Sequence, residues 1–413
     1  MTTTPVAPAG GRHHRALALF AVLLAGLTYY GARGSLANFV LNWESAYGES
    51  RGSISLIATA SFLSIGIAQV VGGKLLERVP AWRVLAVGLA LGVGGYTLGA
   101  VAPSLPIAIL GVGVIAGFGG GLAANSTLSV MVTQLFRERH GALFGLVGAA
   151  TAAGSVVMLP VSRAVLDVSL EAALIFLAAA IGVSLVAVLL FLRIDVEPPG
   201  ARKAPVPVRG VIRVRDFWLL AIPFFVCGVT STGITDTHLV AYMQGCGLTG
   251  GVASSLAAGL ALFNLIGTFG SGLLTDRVDP RRLLFAIYLT RGAVLLLLPL
   301  LRSAEALTVF AVIFGLADFS TVPPTTALAR TAFPDGGWAI VLGLIGFAHQ
   351  VGSALGGAVG GAVYDATGGY GAFFVGAAAT CVAAAFLSMG IGRAPRAPVS
   401  AGVGRLGDAR ATA

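Results

Sequence analysis

The sequence predicts an all-α membrane protein of twelve transmembrane helices arranged as two six-helix halves, and three observations carry that prediction. Of the residues, 56% are hydrophobic and 10% charged, against about 25% charged in an ordinary soluble domain. The apolar residues fall into long runs parted by short charged or Pro/Gly-bearing breaks, each run near the ~20 residues that a spanning helix needs. The chain also repeats itself at an offset of 198 to 200 residues. No segment alternates apolar and polar residues over ten positions, which argues against a β-barrel.

In chain order, residues 1–14 read as an N-terminal tail and 15–193 as the first bundle, with helices near 15–41, 52–76, 81–102, 104–132, 140–164 and 169–193. The first run follows basic residues but continues without a small-residue cleavage site, so it is a spanning helix rather than a removed signal. Residues 194–215, rich in Pro and charge, form the long polar linker. The second bundle is 216–392, with helices near 216–244, 250–275, 282–301, 304–331, 338–364 and 369–392. The tail 393–413 and the first dozen residues are small, Pro-bearing and basic, a composition that reads as disorder.

The clearest repeat is a basic loop. Gly272-Leu-Leu-Thr-Asp-Arg-Val-Asp-Pro-Arg-Arg lies between two apolar runs, and Gly73-Lys-Leu-Leu-Glu-Arg-Val-Pro-Ala-Trp-Arg lies 199 residues earlier. Glu77 and Arg78 thus match Asp276 and Arg277. Gly145-Leu-Val-Gly148 falls on Gly343-Leu-Ile-Gly346, Gly154-Ser155 on Gly352-Ser353, Gly117 on Gly315 and Asp167 on Asp365. Several motifs agreeing at nearly one offset mark a duplication. Gly, at 58 of 413 residues, suits helices that must approach closely within lipid.

This glycine, acid and arginine loop after the second helix of each half resembles the signature loop of the major facilitator superfamily of transporters, over nearly the whole chain. The resemblance implies a central cavity lined by helices one, four, seven and ten, with helices three, six, nine and twelve peripheral. The first helix, Tyr29-Tyr-Gly-Ala-Arg-Gly-Ser-Leu-Ala-Asn-Phe, and the Ser-rich start of helix two look like the monocarboxylate and oxalate transporter branch, where a basic residue stands at the position of Arg33. The branch's acid and arginine of helix eight correspond here to Asn264 and Phe269, so proton-coupled monocarboxylate transport is not simply inherited.

The net charge of +9 is topology rather than a sign of nucleic acid. Of 26 Lys and Arg, 21 lie in the termini and the loops on their side. The positive-inside rule therefore expects both termini in the cytoplasm of a multi-pass protein, in a bacterial inner membrane. Cys227, Cys246 and Cys381 are odd in number and irregularly spaced, so no disulfide framework, metal or cofactor is expected. The expected partners are lipid, protons and a small-molecule substrate, with the chain a monomer. Gly48-Glu-Ser-Arg-Gly52 matches a hydrolase nucleophile elbow but lacks the preceding strand, and no enzyme is expected.

Ionisable residues inside the spans are Arg33, Asp236, His238, Arg291, Asp318 and His349, and charge in hydrocarbon demands a partner, water or a function. Arg33 is the candidate grip for an anionic substrate, since guanidinium holds carboxylate by two parallel hydrogen bonds; the other reading is a structural bridge to Asp236. Asp236 and His238 are candidates for proton coupling, or for a polar cap on helix seven. They stand about 200° apart on a regular helix, so both face the cavity only if Gly233 breaks it. Arg291 and Asp318 read as a buried structural ion pair. His349 and Gln350 match Thr151 and Ala152 of the first half, so their polarity belongs to the second half alone. They read as a substrate contact or a proton step, with packing the alternative for His349. Tyr29, Asn38, Asn125 and Asn264 complete the expected substrate-binding set.

Gly73 and Gly272 are expected to let helices approach, and Glu77, Arg78, Asp276 and Arg277 to form charge clusters that hold the outward-open state. Pro323-Pro324 should loosen helix ten. The expected function is secondary transport of a small organic anion, a carboxylate, by alternating access with proton symport. The alternative is proton-coupled efflux of amphipathic or cationic compounds, against which stands the lack of Pro between Gly145 and Gly154, where drug/proton antiporters of the superfamily keep one.

Overall fold

The computed structural model of the protein describes residues 12–136, 140–192, 208–333 and 338–392. The expected tails, up to 11 and from 393, and most of the linker, 193–207, lie outside the described residues. Among the described residues twelve helices are long and apolar enough to cross a bilayer, the number that the sequence predicts. They are α1 (His13–Asn38), α2 (Arg51–Leu75), α3 (Ala81–Ala100), α4 (Leu105–Leu135), α5 (Gly145–Leu166) and α6 (Leu170–Phe191), then α7 (Arg215–Thr235), α8 (Gly250–Thr275), α9 (Pro280–Leu300), α10 (Ala304–Ala332), α11 (Ile340–Thr367) and α12 (Gly371–Met389).

Local sequence sets where they start. Ser50, Thr249, Ser169 and Ser303 accept hydrogen bonds from backbone amides three residues on, satisfying donors that the first helical turn leaves open. Ser50 is therefore the cap of α2, which accounts for the elbow-like motif around it. Two residues before the caps of α2 and α8 stand Gly48 (φ 65°) and Gly247 (φ 94°), both left-handed, a conformation in which a side chain is strained. The same turn thus closes α1 onto α2 and α7 onto α8.

Each half has its own apolar core, and a small third cluster, Ala58, Phe62, Ile65 and Ala354, joins them. Within the halves α1 packs on α5 and α7 on α11; between them α2 packs on α11 and α5 on α8. Gly154 sits against the Leu27 backbone and its repeat partner Gly352 against Phe225, 198 residues from Leu27, so close that a Cβ would meet backbone atoms. These two crossings place α1 and α7 at equivalent angles in the two halves.

Three helices are broken where they pass the molecule's centre. In α7 the first segment ends at Thr230, Ser231 leaves helical geometry (φ −87°, ψ −99°) and a single turn, Thr232–Thr235, follows. In α10 the segment Ala304–Ala317 passes through a 3-10 turn, Phe319–Thr321, before Val322–Ala332 resumes. Pro323 and Pro324 stand in the first turn of that last segment, where missing N–H groups cost little. In α4 a π-helical stretch, Ile109–Ala116, precedes the break before Asn125.

Among the described residues the hydrogen bonds between the halves are Arg33 to Asp236, Ser254 to Asn38, Arg51 to Tyr370, the Gly52 amide to Asp365 and Thr59 to the Ala354 carbonyl. All lie toward the side opposite the chain ends. Toward the chain ends, Gly73, Gly145, Gly272 and Gly343 face open space. The protein is closed on the far side and open on the side of its termini.

Candidate functional site

A cavity of about 550 Å³ lies between the halves. Arg33 reaches it from the last turn of the first α1 segment, Arg12–Ser35, where the helix dipole favours a cation. Its Nη2 donates to Asp236 Oδ2 at 2.9 Å, and the two side chains are 18% and 23% exposed. The guanidinium carbon also stands 5.5 Å from the centre of the Phe62 ring. Asp236 takes a second hydrogen bond, from Thr235 Oγ1 at 3.1 Å. The two members of this pair come from opposite halves and meet on the cavity wall.

On the second half's wall, Asp318 closes the first segment of α10. Its Oδ2 accepts from Asn264 Nδ2 at 3.1 Å, and Asn264 Oδ1 accepts from the Phe319 amide at 3.2 Å, stitching α8 to the α10 break. Behind it Arg291, fully buried, lies 3.8 Å from Asp318 Oδ1. Arg291 donates to Thr230 Oγ1 at 3.1 Å, to the Ala317 carbonyl at 3.0 Å and to the Asp318 carbonyl, so it holds the open backbone of α10 by hydrogen bonds and faces the carboxylate only at ion-pair distance. Beside this pair the His349 ring sits 5.1 Å from Phe224 and 6.0 Å from Phe319. Asn125 and Gln350 complete the expected residues that line the cavity.

The structure sets the other expected residues elsewhere. Tyr29 is turned into the first half, its hydroxyl donating to the Ala116 carbonyl of α4, while its neighbour Tyr30 faces the cavity and accepts from the Asn125 amide at 3.2 Å. Asn38 is buried in the 3-10 turn that ends α1, donating to the Leu159 carbonyl at 2.9 Å and accepting from Ser254. His238 is fully buried between the Tyr370 hydroxyl (3.1 Å) and the Gly357 carbonyl (2.8 Å). The break at Ser231 turns Asp236 into the cavity but leaves His238 behind it. Gly73 and Gly272 approach nothing, and neither Glu77 nor Asp276 has an ion-pair partner among the described residues. In the second loop the bonded pair is Asp279 with Arg281, at 2.6 Å. That arginine holds the Asp279 carboxyl below the usual range.

Sequence reasoning missed the far-side closure. Arg51 is clamped by Glu44 at 2.5 and 2.8 Å, lies 4.0 Å from the centre of the Tyr364 ring and donates to Tyr370 at 3.2 Å. Its signal was its isolation, as one of three cations near the far-side loops. Among the described residues no cluster suits a metal ion, and the three cysteines are free.

Known proteins match this architecture. The family model described as Major Facilitator Superfamily matches residues 19–314 and 239–407. The chain is 26% identical over 357 residues to the uncharacterized MFS-type transporter YcxA of Bacillus subtilis (strain 168), covering 82% of this chain and 85% of that protein. It is 27% identical over 371 residues to monocarboxylate transporter 13 of Rattus norvegicus (88% and 84% covered). With monocarboxylate transporter 11 of Homo sapiens it shares 26% over 410 residues (95% and 86%). Among solved structures, a mutant of the nucleoside transporter NupG superimposes with a TM-score of 0.78 at 14% identity, covering 91% of this chain and 100% of that one, a likeness of fold. With a family model spanning most of its length and relatives that are themselves transporters, the chain belongs to the Major Facilitator Superfamily, as a multi-pass membrane transporter and not an enzyme.

Proposed function

We propose that the protein carries a small organic anion, a carboxylate, by alternating access coupled to proton symport, with its termini in the cytoplasm. The observation that carries this reading is the Arg33–Asp236 pair, drawn from opposite halves and part-exposed on the cavity wall. Asp236 and a cargo carboxylate compete for one guanidinium. A proton on Asp236 removes the competitor and frees the planar fork for the cargo, so proton and anion favour each other's binding reciprocally. Arg291 and Asp318 balance one another on the opposite wall. With Asp236 protonated the cavity therefore carries one unanswered positive charge, suited to one carboxylate. Support also comes from α8: Asn264 stands where the monocarboxylate branch keeps an acid, and it binds Asp318, so the acid and arginine of this wall are drawn from α10 and α9.

Uptake of radiolabelled carboxylates into proteoliposomes under an inward proton gradient tests the reading. Arg33→Lys keeps a point charge but loses the fork, so binding weakens and some transport survives. Arg33→Gln should abolish transport with little change in melting temperature, because the partner it leaves is wetted by the cavity. If Arg33→Gln instead destabilises the protein and Asp236→Asn restores it, the pair is structural. Transport by well-folded Arg33→Gln at wild-type affinity would favour the second reading, proton-coupled efflux of amphipathic or cationic compounds. The observation behind that second reading is that Asp236 and Asp318 share the cavity with Phe224, Phe269 and Phe319.

A further inference from the structure

Resting on the carboxylate reading, we infer that His349 and Gln350 form a second polar subsite, which accepts the hydrogen of a hydroxyl at the end of the cargo remote from its carboxylate. Both residues line the cavity, and they are 6% and 7% exposed. His349 Nε2 and Gln350 Oε1 are buried with no hydrogen-bond partner. A buried polar atom left unsatisfied costs about 1–3 kcal/mol, so these two, on adjacent residues that line the cavity, call for a partner that the protein itself does not supply.

The hydrogen bonding around the histidine decides which groups. Ser353 donates its single hydrogen to the His349 carbonyl at 2.9 Å. The 3.5 Å contact between Ser353 Oγ and His349 Nδ1 is then made only with the hydrogen on Nδ1, which leaves a lone pair on Nε2. Phe224 and Phe319 fix the ring in place. Both open atoms are thus acceptors, and the cargo must bring donors. The nearest acid, Asp318, already faces Arg291 and Asn264, so the wall is electrically balanced and suits a neutral hydroxyl rather than an ammonium group.

Position makes the hydroxyl remote. The His349 carbonyl packs on Gly228 of α7, the repeat counterpart of Tyr30, three residues before Arg33 on α1. The His349 backbone therefore lies about 4.5 Å from the level of the Arg33 backbone along the helix axes and on the other half. A cargo that bridges Arg33 on one half and this subsite on the other is expected to carry its hydroxyl away from its carboxylate. The first half has no such subsite: Thr151, the counterpart of His349, donates to the Gly148 carbonyl of its own helix at 2.9 Å.

The test titrates the purified full-length protein with hexanoate, ω-hydroxyhexanoate, α-hydroxyhexanoate and ω-aminohexanoate, reading half-saturation from thermal stabilisation. In the wild type ω-hydroxyhexanoate should half-saturate at about tenfold lower concentration than hexanoate, as one added hydrogen bond implies, with α-hydroxyhexanoate close to hexanoate. In His349→Phe, which keeps an aromatic ring, and separately in Gln350→Met, the ratio should fall toward one. Equal wild-type affinities, an advantage that survives both substitutions, or tighter binding of ω-aminohexanoate would overturn the subsite while leaving the carboxylate reading in place. Absence of binding by all four carboxylates, or binding indifferent to Arg33→Gln, would overturn the carboxylate reading and this inference with it. The wild-type comparison needs no variant to fold.

Discussion

In the first half the Tyr29 hydroxyl crosses from α1 to the Ala116 carbonyl of α4, its ring lying over Gly92 of α3. In the second half the repeat position of Tyr29 is Cys227 and that of Gly92 is Arg291, and it is Arg291 that crosses, from α9 to the Ala317 and Asp318 carbonyls of α10. The two halves tie the same irregular helix to its neighbours, one with a neutral donor and the other with a cation that also faces a carboxylate. The neutral tie leaves the first half passive around Tyr29. The charged tie keeps an acid at the cavity of the second half without a net charge, which is how that half came to hold most of the polar chemistry.

The comparison predicts a ladder of effects, readable as melting shifts in detergent. Arg291→Leu should cost most, roughly 3–5 kcal/mol, because Asp318 is left buried without its cation. Adding Asp318→Asn should recover part of the loss, and strictly additive losses would separate the two residues energetically. Tyr29→Phe should cost about 1–3 kcal/mol, the loss of one buried partner for the Ala116 carbonyl; a loss as large as that of Arg291→Leu would erase the distinction between the ties. Gly154→Ala and Gly352→Ala should each cost about 1–3 kcal/mol by overpacking, and by nearly equal amounts. Unequal losses would mean that the two helix crossings are no longer equivalent.

The smallest effect concerns the loops. Asp279 caps α9, accepting from the Arg281 amide at 3.0 Å, where Pro80 stands before α3 with no side-chain cap. Because its carboxyl is held below the ordinary range by Arg281, its contribution is full above the ordinary carboxyl pKa and fades as pH falls through the folded one. The pair is partly solvent-exposed, so Asp279→Asn should cost only about 0.5 kcal/mol near neutrality. That gap in melting temperature should close in acid, and a gap that widens there would contradict the assignment.

The spans and the duplication were legible because they depend on local properties: apolar length, and small residues recurring where backbones touch. Which side chains face the cavity was less so. Tyr29 and Tyr30 differ by about 100° of helix rotation, and that rotation is set by packing against α3 and α4, not by α1 itself. Asp236 and His238 were separable only on knowing where α7 breaks, and the break is at Ser231, the repeat position of Arg33, rather than at Gly233. Arg51 could be seen as isolated, yet its partner Tyr370 lies 319 residues away. Contacts between the halves also belong to one conformation, which a sequence does not specify.

The pairing of charges on the cavity walls has an electrical consequence. Arg33 stands against Asp236 and Arg291 against Asp318, so each formal charge of these pairs faces one of opposite sign. Moving one unit charge through a membrane potential is worth about 2.3 kcal/mol per 100 mV, and a neutral site escapes that work in either direction. Under the alternating-access proposal, the return of an empty carrier with both pairs closed would then feel little voltage, and current recorded during turnover would report the cargo and the ions that accompany it.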